Sequence, residues 1–79
     1  MVNNILEMVC VDEMYNIITA DNGGVWHIYE KAIDNCQVII TFCKYITGLS
    51  CIQSQAVIFI DDWKENRAKF EKLAYISEI

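Results

Sequence analysis

Two largely apolar runs, 14–20 and 25–31, flank the polar stretch Asp21-Asn22-Gly23-Gly24. Asn-Gly supplies the positive φ angles of a two-residue hairpin turn, and both flanks are rich in β-formers. The pattern predicts paired strands over 14–20 and 25–31, with an earlier strand over 5–11 turning back at Asp12-Glu13. With Asn22-Gly23 as the turn, Ile17 faces Ile28, Thr19 faces Trp26 and Tyr15 faces Glu30. One sheet face then collects Leu6, Met8, Cys10, Tyr15, Ile17, Thr19, Trp26 and Ile28, with Glu30 at its end. The other mixes Ile5, Val9, Ile18, Val25, His27 and Tyr29 with Glu7, as a one-sided antiparallel sheet requires.

After Lys31 the period changes. Asp34 followed by Gln37 fits a capping box, and Gly48 stands where a left-handed cap ends a helix. Cys36, Ile39, Ile40, Cys43 and Ile46 recur between them at helical spacing, which predicts a helix over 34–47. The run Val38-Ile39-Ile40-Thr41 is strand-loving and argues the other way. Ala56, Phe59, Ile60, Trp63, Phe70, Leu73 and Ala74 share one helical face, predicting a second helix over 52–77. Glu65 with Lys69, and Arg67 with Glu71, support it as pairs four residues apart. The alternative is a fourth strand at 56–60 before a shorter last helix capped by Asp62 and Glu65. The expected fold is therefore α+β: a three-stranded antiparallel sheet packed on two helices, in a single domain over residues 1–79.

Composition sharpens this. The chain has 79 residues and is 54% apolar and 22% charged, too apolar for a disordered chain. So small a body buries a limited share of its surface, so part of the apolar surplus must lie outside or against a partner. Only Lys44 is charged between Asn35 and Ile60, but Gln37, Thr41, Ser50, Gln53, Ser54 and Gln55 interrupt any membrane span. Met1 to Glu7 has no basic region, so no secretory leader is expected there. Without a secretory context, Cys10, Cys36, Cys43 and Cys51 read as buried thiols of a cytoplasmic protein.

The formal charge is −5, from eleven acids against six bases. Residues 1–30 hold Glu7, Asp12, Glu13, Asp21 and Glu30 with no Lys or Arg, so the whole excess belongs to the expected sheet. Acids at strand ends protect edges, and they also form an anionic surface that steers a basic partner. Direct attraction to nucleic acid is disfavoured by the same charge.

Catalytic constellations do not assemble. His27 is the one histidine, and the cysteines expected on apolar helical positions make poor partners for a nucleophilic dyad. Cys10, Cys36, Cys43 and Cys51 contain no Cys-x-x-Cys knuckle for zinc. Asp61-Asp62 with Glu65 is explained by helix capping and the helix dipole. Gly23-Gly24 lacks the lysine and helix of a phosphate loop. Lys64, Arg67, Lys69 and Lys72 alternate with Glu65 and Glu71, as on a solvated helix.

Surplus aromatics point instead to binding, since such residues anchor interfaces. The expectation is a small, acidic, non-catalytic protein-binding module, an inhibitor or regulator that occludes a basic surface of a larger partner. Its contact residues would be Glu7, Asp12, Glu13, Asp21, Glu30, Ile18, His27 and Tyr29, with no metal and no cofactor. In size, acidity and poverty of motifs the chain resembles the anti-defence inhibitors of phages, anti-CRISPR and anti-restriction proteins among them. The alternative is a structural or accessory subunit that forms a homodimer through its apolar surplus.

Overall fold

A computed structural model of the chain describes residues 3–21, 24–45 and 51–78. In chain order the elements are α1 (Asn3–Ala20), β1 (Trp26–Ala32), β2 (Gln37–Tyr45), β3 (Cys51–Phe59), α2 (Ile60–Glu71) and β4 (Ala74–Glu78). The strands form one four-stranded sheet in the order β3-β2-β1-β4. β2 runs antiparallel to both β1 and β3, while β4 joins β1 in parallel. This mixed sheet replaces the expected three-stranded antiparallel one.

The first two expected strands, 5–11 and 14–20, are one helix. Val11, Met14 and Ile18 recur at helical spacing and all three are buried, with Tyr15 packed beside them. Asp12 and Glu13, expected in a turn, lie exposed within α1. Apolar residues also sit off the core stripe (Ile17 is 47% exposed), which is why alternation fitted this segment as well as a helical period did. The expected turn at Asn22-Gly23 lies outside the described residues.

The expected helix over 34–47 is replaced by β2. The β-branched run Val38 to Thr41 prevails over the apolar spacing, because branched side chains pack well on a pleated surface. Asp34 does cap, but it caps a turn. Its Oδ1 accepts the N–H groups of Cys36 at 2.7 Å and Gln37 at 2.8 Å, and the Ile33 N–H donates to the Gln37 carbonyl at 3.0 Å. These bonds close the β1–β2 hairpin. Gly48 lies outside the described residues.

The expected helix over 52–77 divides into β3, α2 and β4. The alternative strand at 56–60 overlaps the end of β3, which begins at Cys51, while Ile60 opens α2. The Ile60 N–H donates to the Cys36 carbonyl at 2.8 Å, tying the start of α2 to the hairpin. Asp61 and Asp62 occupy the first turn, where the helix dipole favours acids. At the other end the Lys72 and Leu73 N–H groups both turn back to the Phe70 carbonyl, and β4 begins at Ala74.

Both helices cover one side of the sheet. Trp26, Ile28, Val38, Ile40, Phe42, Ala56 and Ile58 point inward from the strands to meet Val11, Met14 and Ile18 of α1 and Trp63 and Phe70 of α2. Phe70 joins the layers, its ring centroid 5.4 Å from Tyr15, 5.4 Å from Phe42 and 5.6 Å from Trp63. Burial of each such aromatic is worth about 1.5–3 kcal/mol.

Candidate binding face

Strand periodicity sends the alternate residues to the other side of the sheet, away from α1 and α2. The register places Tyr75, His27, Cys43 and Gln53 side by side across the four strands. The next row is Ser77, Tyr29, Thr41 and Gln55, and beyond it lie Lys31, Ile39 and Val57. Gln37 with Phe59 completes one end and Tyr45 the other.

The aromatics on this face are organised. His27 stacks on Tyr75 at 5.4 Å and on Tyr29 at 6.3 Å, and meets Tyr45 edge-on at 5.5 Å. Cys43 and Thr41, in the middle of these rows, are each 6% exposed. The Gln55 amide donates to Thr41 Oγ1 at 3.1 Å. At the margins, Tyr75 is 67%, Tyr45 59% and Phe59 38% exposed, a large apolar area left to solvent. Among the described residues Lys31 is the one charged group on this face.

Of the contact residues expected from the sequence, the structure brings His27 and Tyr29 together here. The others are dispersed. Ile18 is 1% exposed within the core. Glu7 lies on α1, and Asp12 and Glu13 are exposed on the same helix. Asp21 pairs with Lys44, whose ammonium stands over the Trp26 ring 5.9 Å from its centroid. Lys44 fills the space above Gly24, where a Cβ would collide with its Cε.

Glu30 is buried at the inner side of β1. Its Oε2 accepts Arg67 Nε at 2.8 Å and the Trp63 indole N–H, and its Oε1 accepts Arg67 Nη2 at 3.2 Å. Burial pushes the Glu30 pKa up, but the hydrogen bonds from Arg67 and Trp63 and the Arg67 charge outweigh it and hold the group below its ordinary 4.5. The hydrogen bond to Glu30 raises the Arg67 pKa against the opposing effect of burial, and the charges of Glu30, Glu71 and Glu78 raise it further. A cleft of about 370 Å³ opens beside this pair, lined also by Ala32, Val38, Ile60, Lys64 and Glu78. Both Glu30 oxygens are already committed, so the pair anchors α2 to the sheet and offers little to a ligand.

Of the cysteines expected to be buried, Cys36 departs and Cys43 does not, and the side chains of Cys10 and Cys51 lie outside the described residues. Cys36 is exposed in the hairpin turn, and Cys43 is buried on β2. His27 and Cys43 are register partners, which the sequence reading had placed on a strand and a helix. Burial disfavours the thiolate form in which a cysteine acts as a nucleophile. Among the described residues no three His, Cys, Asp or Glu side chains gather to hold a metal ion, and no helix is long and apolar enough to cross a membrane.

The sequence reading reached His27 and Tyr29 but missed the rest of the face, because it placed β2, β3 and β4 in helices. The usable signal was the branched and aromatic run Val57-Ile58-Phe59, within the alternative strand at 56–60, beside the branched run of β2. No family model matches the chain, and neither a curated protein nor a solved structure shows significant similarity to it.

Proposed function

We propose that this chain is a non-catalytic protein-binding module that works through the open face of its sheet. The supporting observation is the combination on that face of exposed Tyr45, Phe59 and Tyr75 with a single charged residue, Lys31, in a chain of net charge −5. Interface cores are enriched in aromatics and depleted in charge in the same way. A nucleic acid strand would find rings to stack on, but it needs a cationic groove that one lysine does not supply.

A second reading, an inhibitor or regulator that occludes a basic surface of a larger protein, draws support from α1. That helix carries Glu7, Asp12 and Glu13 with no Lys or Arg, and Asp12 and Glu13 are exposed. The two readings use opposite layers of the molecule, so one experiment separates them. Affinity capture from a lysate of the source organism is compared for the wild type, Tyr29→Glu/Tyr75→Glu and Asp12→Lys/Glu13→Lys. The first reading expects capture to fail for the tyrosine variant alone, with its circular dichroism unchanged. Loss for the α1 variant alone would replace it with the second.

A further inference from the structure

We infer that the occupant of the open sheet face is a second copy of this chain, packed sheet to sheet about a twofold axis. The inference rests on the reading of that face as the binding surface and adds the partner. In a twofold contact the same patch meets itself, so a face whose charges are all of one sign meets no opposite charge on its partner. The chain is −5 overall, yet among the described residues its open face carries only Lys31, placed towards one end. With Lys31 at one end of the described face, two copies approach there with little mutual repulsion. A basic partner would gain nothing from such a face, whereas a second copy brings the same uncharged surface of tyrosines, Ile39, Val57 and glutamines.

The size of the face sets the strength of the pairing. Four strands about 4.8 Å apart, the longest rising about 3.3 Å per residue, give a footprint on the order of 500 Å². Two copies then bury about 1,000 Å², at the threshold of a specific interface and far below an obligate one. The dimer is therefore concentration-dependent, with sheets stacked about 10 Å apart as in a β-sandwich.

Sedimentation equilibrium of the purified chain tests this. The wild type should rise from 9.1 kDa towards twice that mass as its concentration passes through the micromolar range. Tyr75→Glu/Gln55→Glu changes two exposed side chains and should raise the dimer Kd at least tenfold, because each carboxylate must be desolvated on pairing. Asp12→Lys/Glu13→Lys, on the opposite layer, should leave the Kd unchanged. Should the double glutamate variant fail to fold, chemical shifts of the wild type should still move with concentration at His27, Tyr29 and Tyr75. A wild type that stays at 9.1 kDa up to about 1 mM, or a folded glutamate variant that pairs like the wild type, overturns the inference. If the wild type is monomeric but Tyr29→Glu/Tyr75→Glu still abolishes capture, the second copy is wrong and the binding face stands; if capture is also unchanged, both fall.

Discussion

Arg67, within α2, grips Glu30 on β1 with two donors, Nε at 2.8 Å from Oε2 and Nη2 at 3.2 Å from Oε1. The guanidinium also pairs with Glu71 on its own helix, and Glu78 of β4 acts on it through its charge. One cation thus serves carboxylates from β1, α2 and β4, which sets the position of α2 over the sheet.

Removing that cation strands a buried carboxylate. Arg67→Ala should cost about 1–3 kcal/mol in urea denaturation at neutral pH, less than a fully buried pair because the Arg67 side chain is 36% exposed. Arg67→Lys should recover only part of the loss, since an ammonium cannot make the two-pronged contact. A stability equal to that of the wild type in Arg67→Ala would show that the pair holds nothing.

The same pair gives an acid-sensitive stability. The Glu30 pKa is lower in the folded chain than its ordinary 4.5, so its contribution is complete above that value and is lost as the pH falls through the lower, folded value. The stability difference between the wild type and Glu30→Gln should therefore be constant from about pH 6 to 8 and shrink below pH 4.5. A gap that widens on acidification would reverse the assignment.

Trp26 is 2% exposed, and its indole N–H has no hydrogen-bond partner among the described residues. An unmet buried donor costs about 1–3 kcal/mol, similar to the packing lost on trimming the ring to phenyl. Trp26→Phe should therefore change the urea midpoint by less than about 1 kcal/mol in equivalent stability. A larger loss would mean that the indole nitrogen is satisfied in solution.

Phe70 is fully buried where α1, α2 and the sheet meet. Phe70→Ala should cost about 3–5 kcal/mol, most of what a domain of this size possesses. Thermal unfolding by circular dichroism should show the variant largely unfolded at 37 °C, and a cooperative transition near that of the wild type would refute the central place given to this ring.

Asp34→Ala removes the acceptor for two N–H groups in the β1–β2 turn. The turn is exposed and water replaces part of what is lost, so about 1 kcal/mol is expected, read from urea denaturation. No loss at all would mean that the turn is set by backbone geometry alone.

What the sequence revealed depended on whether one periodicity or two fitted a segment. Around β1, Trp26 and Ile28 alternate with His27 and Tyr29, and only a strand accommodates that pattern. In α1, apolar residues off the core stripe, such as Ile17, blurred the helical period, and Asn22-Gly23 suggested a hairpin that made two strands look plausible. For β2, Asp34 was recognised as a capping side chain but assigned to the wrong motif, since turns and helix starts use the same carboxylate chemistry. The acidic bias of residues 1–30 was real, yet three-dimensional placement divides it between the outside of α1, an ion pair at Lys44 and the buried Glu30. The open face was legible only through His27 and Tyr29, because its other rows come from strands brought together by pairing.

The ladder between β1 and β4 joins Trp26 to Ala74 across everything that β2, β3 and α2 contribute. β1 to β3 can assemble as successive local hairpins, but β4 finds its place only after α2 has crossed the sheet. Closure of that last ladder, the pairing with the longest chain separation in the sheet, is accordingly expected to come late in folding. In native-state hydrogen exchange the amides of β4 should open at lower free energy than those of β2, which is braced on both sides.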